Sequence, residues 1–262
     1  MQKKHAYTTR KQLIKINQSL SDDERNVLEF LGVAKMAMND QMRRLFLRDA
    51  KNEQSGRREM RRLTARLKTL GLVDHYVHQI NDLPGMAGYV WHLTEVGYRL
   101  LRLGEKDMRR VRSWEPNTRK MRHTVAVVEA YVQIVELTYE CPALELLQVE
   151  FEPRCWRCFN GYSLRPDLYV VLRNGRFTDR YFFEVDLGTE ETMVVVAKCC
   201  RYVDYFKQGA EQAATGAFPL VVWVVPKELR KENILVGLRG VEYGDRIFAV
   251  ITPGELRGLI LE

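Results

Sequence analysis

Apolar residues recur at helical spacing soon after the chain begins. Ser21-Asp-Asp-Glu24 is a capping-box pattern, and Val27, Leu28 and Leu31 follow on one face, so a first helix is expected over 22–32. A second is expected over 33–48, with Met36, Met42, Leu45 and Phe46 packed on the first. After a polar break at 49–56, Met60, Leu63, Leu67 and Leu70 form an apolar stripe, and the rest of the segment from 57 to 70 is dominated by Arg and Lys. Gly71 is suited to end this third helix, because glycine takes the left-handed conformation without a steric penalty. Strand-like runs at 72–80 and 89–93 then flank a turn at 81–88, and Thr94 is placed to cap a closing helix.

Helix, helix, basic helix and β-hairpin is the order of a winged helix-turn-helix. The charged stretch 105–117 loses all periodicity and separates this domain, 1–104, from a second one, 118–262. The second domain opens on a helix with Val125, Val128, Val132 and Val135 at helical spacing, ending before Cys141-Pro142. Strands are expected at 144–152, 167–173 and 180–187, a helix at 191–208 and an apolar strand at 218–225. Asn174-Gly175 marks a hairpin turn and Pro226 stops the last strand. The fold class read from this order is α/β, a winged helix-turn-helix followed by an αβββαβ domain.

Charge separates the same two halves. Of a net +7, residues 1–122 carry 26 Lys and Arg against 14 Asp and Glu, and residues 123–262 carry 15 against 20. A basic half next to an acidic one fits phosphate neutralisation better than a uniformly solubilising surface, so double-stranded DNA is the expected partner. A helix in the major groove with basic flanks would place Ser55, Arg57, Arg58, Arg61, Arg62 and Arg66 on DNA, with His78 and Gln79 on the wing. A solvated arginine face and a protein-binding winged helix are the alternatives. No run of about 18 apolar residues is present and no apolar segment follows Met1-Gln-Lys-Lys-His5, so no membrane is expected and the cytoplasm is the expected location. Five cysteines fit reduced thiols; Cys155-Trp-Arg-Cys158 would need two more ligands to hold zinc, and Cys199-Cys200 are the nearby candidates. The sequence leaves room for a homodimer.

The chemistry concentrates between Arg165 and Asp186. In Tyr181-Phe-Phe-Glu-Val-Asp186, period-two alternation puts Glu184 and Asp186 on one face of a hydrophobic strand, an arrangement costly to bury without a cation. Pro166-Asp167 followed by Glu184-Val-Asp186 resembles the metal-binding signature of the PD-(D/E)XK nucleases, with Asp186 standing where that signature has a lysine. The resemblance implies magnesium or manganese on Asp167, Glu184 and Asp186, and a catalytic cation supplied instead by Lys198 on the following helix. Tyr202, one turn later on the same face, is a second catalytic candidate, with aromatic packing as its ordinary alternative. The whole layout is similar to that of the plasmid replication-relaxation proteins. It implies a metal-dependent nuclease that nicks or processes plasmid DNA in replication or conjugative transfer. The alternative is a catalytically inactive regulator whose acidic domain dimerises or recruits partners.

Overall fold

Residues 8–78, 88–104 and 117–261 are described by a computed structural model, and the chain is α/β. It divides into two compact units, Met1–Val128 and Glu129–Glu262. The first contains α1 (Arg10–Ser19), α2 (Asp22–Ala34), β1 (Met36–Met38), α3 (Asn39–Phe46), α4 (Glu53–Thr69), β2 (Val73–His78), β3 (Gly88–Leu93) and α5 (Glu95–Leu101). Helix α6 (Thr118–Glu140) spans the division, and the expected linker at 105–117 lies, apart from its last residue, outside the described residues.

Local signals account for most helix starts of the first unit. Ser21 and Glu24 form the expected reciprocal capping box, and Thr9 with Gln12 forms another ahead of α1. Asn52 and Ser55 do the same for α4, which therefore begins earlier than its apolar stripe does. Gly71, at φ 72°, ends α4 with the Leu72 amide donating to Leu67 O at 3.0 Å. The expected second helix is interrupted. Lys35 takes φ 70°, and Met36, Ala37 and Met38, all buried, pair antiparallel with β3 in a sheet of order β1-β3-β2. The partner strand lies about fifty residues downstream, so nothing in the local helical periodicity announces it. The sheet face bearing Met36, Met38 and Val90 packs on Met121 and Val125.

The second unit contains β4 (Leu144–Phe151), β5 (Arg157–Phe159), β6 (Tyr162–Leu164), β7 (Leu168–Asn174), β8 (Phe177–Val185), α7 (Thr192–Gln208), α8 (Ala210–Thr215), β9 (Leu220–Val224), α9 (Glu228–Leu238), α10 (Gly244–Ile247), β10 (Phe248–Ile251) and α11 (Leu256–Leu261). Its sheet runs β10-β9-β8-β7-β4, antiparallel from β4 to β8 and parallel from β8 to β10. The β5–β6 hairpin and the outer strand β10 are additions to the expected order. Central β8 is flanked by a strand on each side, and Phe182 meets Tyr202 of α7 and Val221 and Trp223 of β9 in one core.

Candidate functional site

Two groups of residues carry chemistry, one in each unit. In the first, Met60, Leu63 and Leu67 of α4 are buried while Arg57, Arg58, Arg61 and Arg62 are exposed. The guanidinium groups of Arg58, Arg61 and Arg62 make no hydrogen bond or ion pair within the described residues. Arg57 donates to Glu53 at 2.6 Å. Arg66 is engaged within the protein. It pairs with the buried Glu24 of α2 and donates to Ser19 O at 3.0 Å, so it ties α4 to α2 instead of standing ready for phosphate. Ser55 is likewise engaged, donating to Asn52 O at 2.8 Å in the cap. His78 ends β2, and Gln79 lies outside the described residues.

In the second unit, Asp167 precedes β7 and faces Glu184 across the β7–β8 ladder. Its amide donates to Phe183 O at 3.0 Å and its carboxylate accepts the Val185 amide at 2.8 Å. Glu184, 2% exposed, accepts Lys198 Nζ at 2.5 Å on one oxygen and Tyr202 OH at 2.5 Å on the other. Lys198 also donates to Arg165 O at 3.1 Å. One helical turn separates Lys198 from Tyr202, which is why both reach the same carboxylate.

Burial pushes the Glu184 carboxyl up to about 7, opposed by Lys198 and reinforced by the neighbouring Asp167. Burial also works against the Lys198 ammonium, yet Glu184 and Asp167 outweigh it and hold its pKa above the ordinary lysine value. Tyr202 is fully buried beside Phe182 and Phe248, and burial followed by the Glu184 charge keeps its phenol neutral far above the usual range. In this arrangement Tyr202 orients Glu184 and is sealed from solvent.

Asp186 leaves this group. Strand β8 ends at Val185, so the alternation that would align Asp186 with Glu184 stops one residue short. Its carboxylate accepts the Gly188 amide at 2.9 Å and Arg230 Nε at 2.5 Å, and Arg230 goes on to Thr192 Oγ1 at 3.0 Å and Glu190 O at 2.7 Å. Asp186 therefore pins the 186–192 loop to α9. Arg230, far along the chain, carried no sequence signal for this role. Among the described residues no group of three or more His, Cys, Asp or Glu is placed to hold a metal ion. The cysteines do not gather either: Cys155 and Cys199 are buried, Cys158 and Cys200 exposed, and burial pushes the Cys155 thiol up to about 12.

Residues 28–221, from α2 to β9, match the replication-relaxation family model. The chain belongs to the replication-relaxation family. The match covers well over half its length and takes in both groups just described. Comparison with curated proteins and with solved structures found no match. Membership associates this replication-relaxation protein with the replication or mobilisation of plasmids. No described helix of it is long and apolar enough to cross a membrane.

Proposed function

We propose that the first unit is a winged helix-turn-helix that binds duplex plasmid DNA through α4 and the β2–β3 hairpin, and that the second is a PD-(D/E)XK-type core that nicks or cuts that DNA. The observation that carries the DNA reading is α4 itself: one side is buried in the unit, and the other presents Arg58, Arg61 and Arg62 with no protein partner among the described residues. Unpaired guanidinium groups on one helix face suit phosphate and guanine contacts. Replacing Arg61 and Arg62 together by Ala should weaken duplex binding by about 1–3 kcal/mol in a titration of the full chain. Unchanged affinity would remove α4 from the interface.

The nuclease reading rests on the Asp167–Glu184–Lys198 group. Two acidic groups are buried side by side against one lysine, and hard oxygen donors of this kind suit magnesium or manganese, which commonly take one or two carboxylates and complete their shell with water and phosphate. Asp167 and Glu184 would hold the ion, which would supply charge neutralisation at phosphorus and an acidified water. Lys198, 30% exposed at its side chain, is the positioned cation that β8 lacks. Asp186 has its carboxylate committed to Arg230 and is left out of this assignment.

The rival is a regulator that binds DNA without cutting it. It is favoured by one observation: both Glu184 oxygens already accept hydrogen bonds from within the protein. Manganese should raise the melting temperature of the parent and support nicking of supercoiled plasmid, and Asp167→Asn should abolish both while sparing DNA affinity. A parent with neither response is the regulator.

A further inference from the structure

Beside the Asp167–Glu184 pair, Arg165 carries an exposed guanidinium that no carboxylate of the described residues neutralises. Its carbonyl oxygen accepts Lys198 Nζ at 3.1 Å, and the same Nζ lies 2.5 Å from Glu184, so the backbone of Arg165 is anchored at the rim of the site. Asp167 follows two residues later, and two extended residues span only about 7 Å. The side chain is held against the β5–β6 hairpin. Its Nε donates to Ser163 Oγ at 3.2 Å, and its guanidinium carbon lies 4.5 Å from the centre of the Trp156 ring. Stacking uses the flat face of a guanidinium and the Ser163 bond uses only Nε. The Nη1 and Nη2 N–H groups therefore have no acceptor among the described residues.

The cations around it are committed elsewhere. Lys198 is paired with Glu184, Arg157 with Glu211 and Glu150, and Arg230 with Asp186, so their charge is spent on carboxylates within the protein. Residues 123–262 carry 15 Lys and Arg against 20 Asp and Glu, and a polyanion approaching this half meets net repulsion unless a free cation stands where it touches. A stacked fork with its outer edge open matches two oxygens of one phosphate. Bidentate, charge-assisted hydrogen bonds form there with little further ordering of the side chain.

We propose that Arg165 is the phosphate grip of the second unit: its Nη1 and Nη2 groups take a phosphodiester of DNA and hold that strand against the Asp167–Glu184 pair, while Trp156 and Ser163 position the fork. The consequence for cutting rests on the nuclease reading above. The contact with DNA needs neither metal nor cutting, and it is made by the unit that does not contain α4.

The test uses the full chain and two readouts: the salt dependence of affinity for a long duplex in calcium, which takes the same oxygen donors, and nicking of supercoiled plasmid in manganese. Parent, Arg165→Ala, Arg165→Lys and Arg176→Ala are compared. Arg176 is the control, because it is also exposed and lies over an aromatic ring, that of Phe177, but stands at the far end of the β7–β8 hairpin from Asp167. Arg165→Ala should lower duplex affinity about fivefold, reduce the log–log salt slope by about one and cut nicking about tenfold, with the melting temperature unchanged. Arg165→Lys keeps the charge and the slope, and without the fork it restores only part of the nicking. Should Arg165→Ala destabilise the unit, Arg165→Gln, which keeps contact with Trp156 and removes the charge, decides by the slope. An unchanged slope, or an equal change in Arg176→Ala, overturns the proposal even where the parent nicks. A parent that neither nicks nor responds to manganese, with the slope reduced by Arg165→Ala alone, sinks the nuclease reading and leaves the grip standing as a DNA contact of a regulator.

Discussion

Glu184 sits on the central strand of its sheet with each carboxylate oxygen accepting a short hydrogen bond, and its behaviour is the sharpest test of the second unit at the residue scale. Its folded pKa of about 7 exceeds the ordinary 4.5, so both states hold the proton at low pH and the unfolded chain ionises first as pH rises. The group's contribution to stability is therefore full below about 4.5 and falls until pH passes about 7. Glu184→Gln abolishes that loss, so urea unfolding in chelator should show the variant gaining on the parent by roughly 3 kcal/mol between about pH 4.5 and 7.5. A pH-independent difference would mean that Lys198 keeps Glu184 ionised throughout. Lys198→Ala addresses catalysis: any nicking should drop by about 10²-fold or more, the scale of one preorganised charge, while manganese still raises the melting temperature because Lys is not a ligand. Glu184 was legible because an acid is out of place on an apolar strand, while Asp167 and Lys198 came from the resemblance to the PD-(D/E)XK signature. The partners of Asp186 were not legible, since a single arginine 44 residues away carries no local signature.

At the scale of elements, α4 joins two kinds of arginine that the sequence presents as one face. Arg62 makes no ion pair within the described residues, whereas Arg66 holds the N-terminal end of α2 through Glu24, itself a member of the Ser21 capping box. Arg66→Ala leaves a buried carboxylate without its cation, so thermal unfolding should show a loss of about 1–3 kcal/mol with little change in DNA affinity. Arg62→Ala should do the opposite. Equal effects of the two on DNA binding would return Arg66 to the interface. Helix starts and the apolar stripe were readable because caps and 3.6-residue spacing are local properties. The strand Met36–Met38 was not, because its stabilisation comes from pairing with β3 and from burial against Met121 and Val125.

For the whole molecule, charge segregation sets the expectation. With the basic excess confined to the first half of the chain, about six phosphate contacts would give duplex binding a log–log salt slope near −5, and Asp167→Asn in the acidic half should leave that slope unchanged. A slope near zero would point to a protein partner. The sequence by itself determined the α/β class, the basic helix ahead of a hairpin, the Asn174-Gly175 turn and the out-of-place acid Glu184 on an apolar strand. Each is written in periodicity, turn chemistry or an anomalous residue type within a few positions. Only the tertiary structure decided that Asp186 belongs to Arg230, that Arg66 belongs to Glu24 and that Met36–Met38 is a strand. Those outcomes depend on which distant segment arrives as a neighbour, and the burial and partners that arrive with it have no counterpart in local sequence.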